Sequence, residues 1–175
     1  VDQLTSGSKS LFKKNKVTYV KGTASLQSAN QVKVQLLEGG ESVINTKNVI
    51  LATGSEPSSL PTVPVDEESI VTSTGALKLT KVPAKMIVIG GGVIGLEMGS
   101  VWRRLGSEVV VVEFLDRIVP GIDKEIADSF LRTLKKQKMK FKLSTKVIGS
   151  RKEGGKVILD VESAKGGKPE SLEAD

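Results

Sequence analysis

The 175-residue sequence contains no cysteine and no histidine. Thiol catalysis, imidazole acid–base chemistry and Cys/His metal sites are therefore excluded within it. Aromatic residues make up only 3% of the chain. Phe12, Tyr19 and Phe141 are the rings near its basic clusters, too few and too regularly placed for a nucleic-acid surface, which needs aromatics or a known motif among its cations. No apolar run approaches the roughly 20 residues of a membrane helix, so no membrane span is expected. Residues 1–10 are polar and show no signal-peptide pattern. The missing initiator Met is what a processed or partial product would show.

What is present fits a Val/Ile/Leu-rich α/β protein, with 38% apolar residues. The net charge is +6, from 26 basic and 20 acidic residues. The lysines gather in FKKNK (Phe12–Lys16) and LKKQKMKFK (Leu134–Lys142), and solvated helix and strand faces account for both.

Along the chain, residues 2–16 read as the end of an amphipathic helix carrying Leu4, Leu11 and Phe12. Val17–Val20 reads as a short strand. Val32, Val34 and Leu36 alternate with polar residues, turn at Gly39-Gly40 and return through Val43-Ile44, a β-hairpin pattern. NVILATG (Asn48–Gly54) reads as an apolar strand, followed by a linker marked by Pro57, Pro61 and Pro64. Ser73–Leu79 is expected to hold a short turn of helix.

From about Lys81 the pattern changes. MIVIG (Met86–Gly90) predicts a buried parallel strand. A helix from Val93 to Leu105 is closed by Gly106, and EVVVVE is the next strand. A second helix is N-capped by Asp123 and presents Ile126, Ala127, Phe130, Leu131 and Leu134 on one face. KFKLSTKVIG (Lys140–Gly149) comes next as one strand. A hairpin then carries Val157, Leu159 and Val161 on one side and turns at Gly166-Gly167. The two halves rhyme, each with a strand, a Gly-Gly hairpin and a return towards an apolar strand. That repetition predicts two related dinucleotide-binding units, with a further apolar strand expected after Asp175.

Gly90, Gly92 and Gly95 form G-x-G-x-x-G between a strand and a helix. In that context Gly90 permits a tight turn, Gly92 lets a pyrophosphate approach, and Gly95 lets helix and strand pack closely. Free helix N–H groups and the helix dipole favour phosphate there. No Lys-Ser/Thr comes after the loop, which excludes a P-loop. Glu113, ending the next strand, can accept hydrogen bonds from a ribose diol and would repel a 2′-phosphate, favouring NAD over NADP. Glu97 has two readings: a first-turn acid complementing the helix dipole, or a residue lining the cofactor cleft.

NVILATGSEP, STGALKLTKVPAKMIVIGGGVIGLEMGSVWRRLGSEVVVVEFLDRIVP and KFKLSTKV together resemble the dihydrolipoyl dehydrogenases, among the flavoprotein disulfide reductases. The resemblance implies a Rossmann-like α/β fold, a parallel sheet flanked by helices with a β-meander insert. It implies that residues 1–80 are the C-terminal portion of an FAD-binding domain with its meander and linker, and that residues 81–175 are an NAD-binding domain truncated at its last strand. It implies NAD bound by Gly90, Gly91, Gly92, Val93, Ile94, Gly95, Leu96, Glu97 and Glu113, with Val147 on the adenine. It implies FAD contacts from Thr53, Gly54 and Ser55, and from Ala24, where relatives often carry Gly.

The implied activity is oxidation of protein-bound dihydrolipoamide with electrons passing through FAD to NAD. The implied partners are lipoyl domains of 2-oxo acid dehydrogenase or glycine cleavage complexes and a second copy in a homodimer; the implied location is the mitochondrial matrix. The family's C-x-x-x-x-C disulfide, its first glycine motif for FAD and its His-Glu pair are not in this sequence, so no catalytic residue is assigned and no disulfide reductase activity is expected of these residues alone. Another flavoprotein, such as an NADH oxidase or mercuric reductase, and a non-catalytic NAD-binding module remain alternatives.

Overall fold

The computed structural model describes residues 2–175, with side chains from residue 6 onward. The chain forms two compact units, Val1–Ser55 and Glu56–Asp175.

The first unit begins with helix α1 (Asp2–Lys14), whose Leu11 and Phe12 are exposed; the Leu4 side chain lies outside the described residues. Strands β1 (Gly22–Ser28), β2 (Gln31–Leu36) and β3 (Glu41–Asn45) form an antiparallel meander in that order. The predicted hairpin is β2–β3, with Gly39 and Gly40 at positive φ and Lys33 paired to Glu41 across it at 2.8 Å. Two predicted strands are absent. Residues 17–20 are not a strand: Lys16 turns the chain at φ 56, Val17 N–H donates to the Phe12 carbonyl, and the Tyr19 ring packs on Phe12. Asn48–Gly54 is irregular, with Ile50 and Leu51 exposed at 90% and 71%. An apolar run becomes a buried strand only where flanking strands take its N–H and C=O groups. Among the described residues none pairs with either segment.

The second unit starts at Glu56, and the linker packs into this unit's own core. Val63 and Ile70 supply that packing, and Asp66 accepts from the N–H groups of residues 68–70 and pairs with Lys152 at 2.5 Å. The short helix α2 (Ser73–Ala76) is capped by the Thr72 hydroxyl. Strands β4 (Lys85–Ile89), β5 (Glu108–Val112) and β6 (Lys140–Lys142) form a parallel sheet in that order, Lys85 opposite Glu108 and Val110 opposite Lys140. Helices α3 (Val93–Leu105) and α4 (Lys124–Lys136) make the crossovers. Gly106 closes α3 at φ 119, and Asp123 caps α4 by accepting from Glu125 and Ile126 N–H groups, both as predicted.

Alternation along the parallel strands divides the core. Met86, Val88, Val109 and Val111 face Leu96 of α3 and Ala127 and Leu134 of α4. Ile87 and Val112 face the opposite way, onto Leu159 and Val161. These last belong to an antiparallel sheet of β7 (Thr145–Glu153), β8 (Lys156–Ser163) and β9 (Glu170–Ala174). The expected sheet flanked by helices is thus covered by helices on one face and by the antiparallel β7–β9 sheet on the other. Contrary to expectation, Lys140–Gly149 is not one strand, since Ser144 at φ 49 breaks it and redirects the chain from the parallel to the antiparallel sheet. The apolar face of α4 is also narrower than expected. Ile126 and Phe130 stay exposed at 61% and 38%, because the core reaches only the Ala127–Leu131–Leu134 side.

A candidate dinucleotide site

The site lies where β4 and β5 end and α3 begins. Gly90 has φ 99 and its N–H donates to Val112 O at 2.8 Å, joining the two strand ends. Gly95 has no room for a side chain, since a Cβ there would stand 2.7 Å from Gly90 O and 3.0 Å from Val88 Cγ1. Gly99 repeats this one turn on, where a Cβ would come within 3.0 Å of Met139. The helix can therefore lie directly on the strand, as the spacing predicts.

Gly92 is the opposite case. It has φ −76 and ψ 172, open to any residue, and a Cβ there would meet nothing within 4 Å. Packing and backbone conformation do not require glycine at this position, and the space in front of it is free. Gly92 is also the N-cap of α3 and supplies no side-chain acceptor, whereas α2 and α4 are capped by Thr72 and Asp123. The first intrahelical donor is Leu96 N–H, to Gly92 O at 3.1 Å. The preceding amides, Gly92 to Gly95, are the donors a helix start leaves without an intrahelical partner. An uncapped start with open space before it fits a phosphate by geometry and by dipole.

Glu113 is 9% exposed. Its Oε2 accepts from Gly91 N–H at 2.5 Å and its Oε1 from Leu115 N–H at 2.7 Å. A carboxylate has about four acceptor positions, so two remain for a ribose diol. Held by two amides, it cannot swing away from a negatively charged 2′-substituent.

The remaining predicted residues divide. Val93 and Ile94 stand exposed at 56% and 58% beside the open amides. Leu96, by contrast, is wholly buried and its N–H is bound to Gly92, so it anchors the helix and offers a ligand nothing. Glu97 is exposed and lies beyond the first turn, which carries no acid, so it is not the first-turn acid expected to complement the helix dipole. Val147 is half-buried against the cluster around Leu159 and Val161, on the strand that Thr145 N–H ties to Glu113 O at 2.9 Å. Thr53, Gly54 and Ser55 form an exposed segment with Gly54 at φ 83 and no helix directly after it. Ala24 lies within β1, not after a strand, opposite Val34. No helix start presents free amides directly after the Thr53–Ser55 segment.

Two residues escaped the sequence reading. Val119 N–H donates to Gly91 O at 2.8 Å, and Ile118 is 1% exposed directly beneath Gly91. The available signal was an apolar Ile-Val pair inside a stretch otherwise reading as loop. A hollow beside α2, lined by Glu67, Thr74, Gly75, Lys78 and Leu79, includes none of the predicted residues.

Comparison with known proteins places the whole chain in one family. The family described as pyridine nucleotide-disulphide oxidoreductase matches residues 1–175. Dihydrolipoamide dehydrogenase of Chaetomium thermophilum is 55% identical over all of this chain, which covers 35% of that protein. Dihydrolipoyl dehydrogenase 1, mitochondrial, of Arabidopsis thaliana is 56% identical over all of this chain, covering 34% of it. The chain thus spans about a third of the length of the curated relatives it matches. In fold, the crystal structure of LpdA from Mycobacterium tuberculosis superimposes with a TM-score of 0.71 at 23% identity, over 89% of this chain and 34% of that one. Dihydrolipoamide dehydrogenases are oxidoreductases that use FAD and NAD. With its strand–glycine–helix geometry and a match along its whole length, the chain belongs to the pyridine nucleotide-disulphide oxidoreductase family.

Proposed function

We propose that the chain is the NAD-holding part, with an adjoining portion of the FAD-binding part, of an NAD-dependent dihydrolipoyl dehydrogenase. The observation that supports this best is the uncapped start of α3, with its open Gly92 and the fastened Glu113 beside it. The Gly92–Gly95 amides hold the pyrophosphate. Glu113 accepts from the adenosine ribose and rejects a 2′-phosphate. Val93 and Ile94 wall the path towards the nicotinamide, Glu97 lies further along the same helix, and Val147 packs at the adenine end.

The reaction is oxidation of a protein-bound dihydrolipoyl dithiol to its disulfide. The dithiol would give up two electrons and two protons; FAD, when bound, would supply the electron relay, and NAD+, held by the Gly92–Gly95 amides and Glu113, would take both electrons with one proton, the other proton being released. The thiol and base chemistry needs groups these 175 residues do not contain. In this reading it belongs to the further chain that the longer relatives carry. Thr53, Gly54, Ser55 and Ala24 contact the edge of FAD. Lipoyl domains of a 2-oxo acid dehydrogenase or glycine cleavage complex, a homodimer and a mitochondrial location belong to the same proposal. The last is supported by relatives named as mitochondrial from Arabidopsis thaliana and Pisum sativum.

Titration of the purified chain with NADH, read by nicotinamide fluorescence with NADPH in parallel, tests this. Saturable NADH binding, tighter than NADPH by about tenfold or more, is expected from a fixed carboxylate facing the 2′-position. A folded chain that ignores NADH, or prefers NADPH, defeats the proposal. Flavin absorbance in the purified chain is expected to be absent, since no phosphate cradle accompanies the Thr53–Ser55 segment.

A further inference from the structure

The segment between β5 and α4, residues 113–123, crosses directly beneath the glycine loop. It fastens Gly91 on three sides. Glu113 Oε2 takes the Gly91 N–H at 2.5 Å. Val119 N–H donates to the Gly91 carbonyl at 2.8 Å. Ile118 Cγ2 lies 3.1 Å from where a Gly91 Cβ would be, so the methyl seals the underside of the peptide. Val119 has φ 40, a left-handed conformation that a β-branched residue rarely adopts. Such strain persists where surroundings over-determine it, and here the side chain is 6% exposed within the helix-side core. Arg117 closes the same turn by donating to the Pro120 carbonyl.

We propose that Ile118 and Val119 are positioning residues for the dinucleotide: they fix the Gly91 peptide from below and thereby aim the Gly92–Gly95 amides outward. The inference rests on the NAD-binding reading. Neither residue touches the nucleotide; each acts through Gly91. The strained turn at Val119 carries its N–H to the Gly91 carbonyl, while Ile118 prevents the peptide from sinking into the core. The loop is ordered before ligand arrives, so binding loses little to ordering it.

Ile118→Leu tests the idea without emptying the core. Leucine keeps the volume but removes the β-branched methyl beneath Gly91. Against the wild-type chain, the variant is expected to unfold at nearly the same temperature. Its NADH affinity falls about threefold or more, and the Gly91 and Val119 amides, both hydrogen-bonded in this fastening, exchange hydrogen faster without ligand. Ile118→Leu with unchanged affinity and unchanged exchange overturns the inference. A wild-type chain that does not bind NADH instead defeats the NAD-binding reading on which the inference stands. Faster exchange of the loop amides in Ile118→Leu would then show the fastening to be structural only, overturning its role in binding.

Discussion

Replacing Gly92 by alanine separates a ligand-facing glycine from a packing glycine. The backbone at Gly92 suits any residue and a Cβ there meets nothing in the protein within 4 Å. Restricting the unfolded chain favours the alanine form by about 0.4–1 kcal/mol. Alanine is a poorer N-cap than glycine, by up to about 1 kcal/mol, which offsets this. The melting temperature should therefore move by no more than about 2–4 °C. NADH binding should suffer heavily, because the methyl group occupies the space through which pyrophosphate reaches the amides. Losing one charge-assisted hydrogen bond costs about 1.5–3 kcal/mol, or about 10- to 150-fold in affinity. Gly95→Ala is the contrast. Its Cβ would be 2.7 Å from Gly90 O, so overpacking of about 1–3 kcal/mol should lower stability and binding together. Fluorescence titration and thermal melts of both variants provide the readings. A Gly92→Ala chain that binds NADH like the wild type refutes the placement of phosphate before Gly92.

Two further substitutions probe the supports. Glu113→Gln leaves one carbonyl oxygen to face the Gly91 and Leu115 N–H groups, stranding a buried donor at a cost of about 1–3 kcal/mol. A lower urea midpoint and a shift of preference towards NADPH are expected; an unchanged midpoint and preference would count against both roles of the carboxylate. At Asp66 burial pushes the carboxyl pKa up, but the bonds from Lys152 and from the amides of residues 68–70 outweigh it and hold it far below the ordinary 3.8. A group depressed in this way stabilises the fold fully above its unfolded value and loses that contribution as pH falls through the folded one. Asp66→Asn should weaken the chain at neutral pH and flatten its acid-induced loss of stability below about pH 4. Urea melts at several pH values with parallel acid limbs would rule this out.

What was legible in the sequence is what local chemistry dictates. Gly90, Gly95, Gly106 and Asp123 each answer a backbone need that few residues meet, and all four stand where the spacing puts them. Hairpins with Gly-Gly turns were legible for the same reason. Strands that depend on a distant neighbour were not: Val17–Val20 and Asn48–Gly54 have strand composition, yet pairing is a property of two segments. On α4 the apolar pattern is wider than the core it meets, leaving Ile126 and Phe130 outside. Ser144 and Val119 were least readable, because left-handed backbone at a serine or a valine is imposed by what surrounds it, not by its own preference. The loop's glycines could be read directly; the segment that holds them could not.

Strand β5 shows why site and core are one construction. Val109 and Val111 bind it to the helices, while Val112 binds it to the antiparallel sheet. A strand fixed on both faces has little freedom at its end, and Val112 O and Glu113 are that end. Val112 O holds Gly90, and Glu113 holds Gly91 while its own backbone is joined to Lys142 and Thr145. The end of β5, itself tied to Lys142 and Thr145, thus holds two glycine peptides, and the free amides begin at the next residue. Burial supplies the rigidity and the glycines supply the opening. On the proposed reading a pyrophosphate would meet donors already aimed, and most of the attraction of the helix start would be realised as affinity. Weakening the core behind β5 should therefore loosen nucleotide binding before it unfolds the domain, since the loop has no independent means of holding its shape.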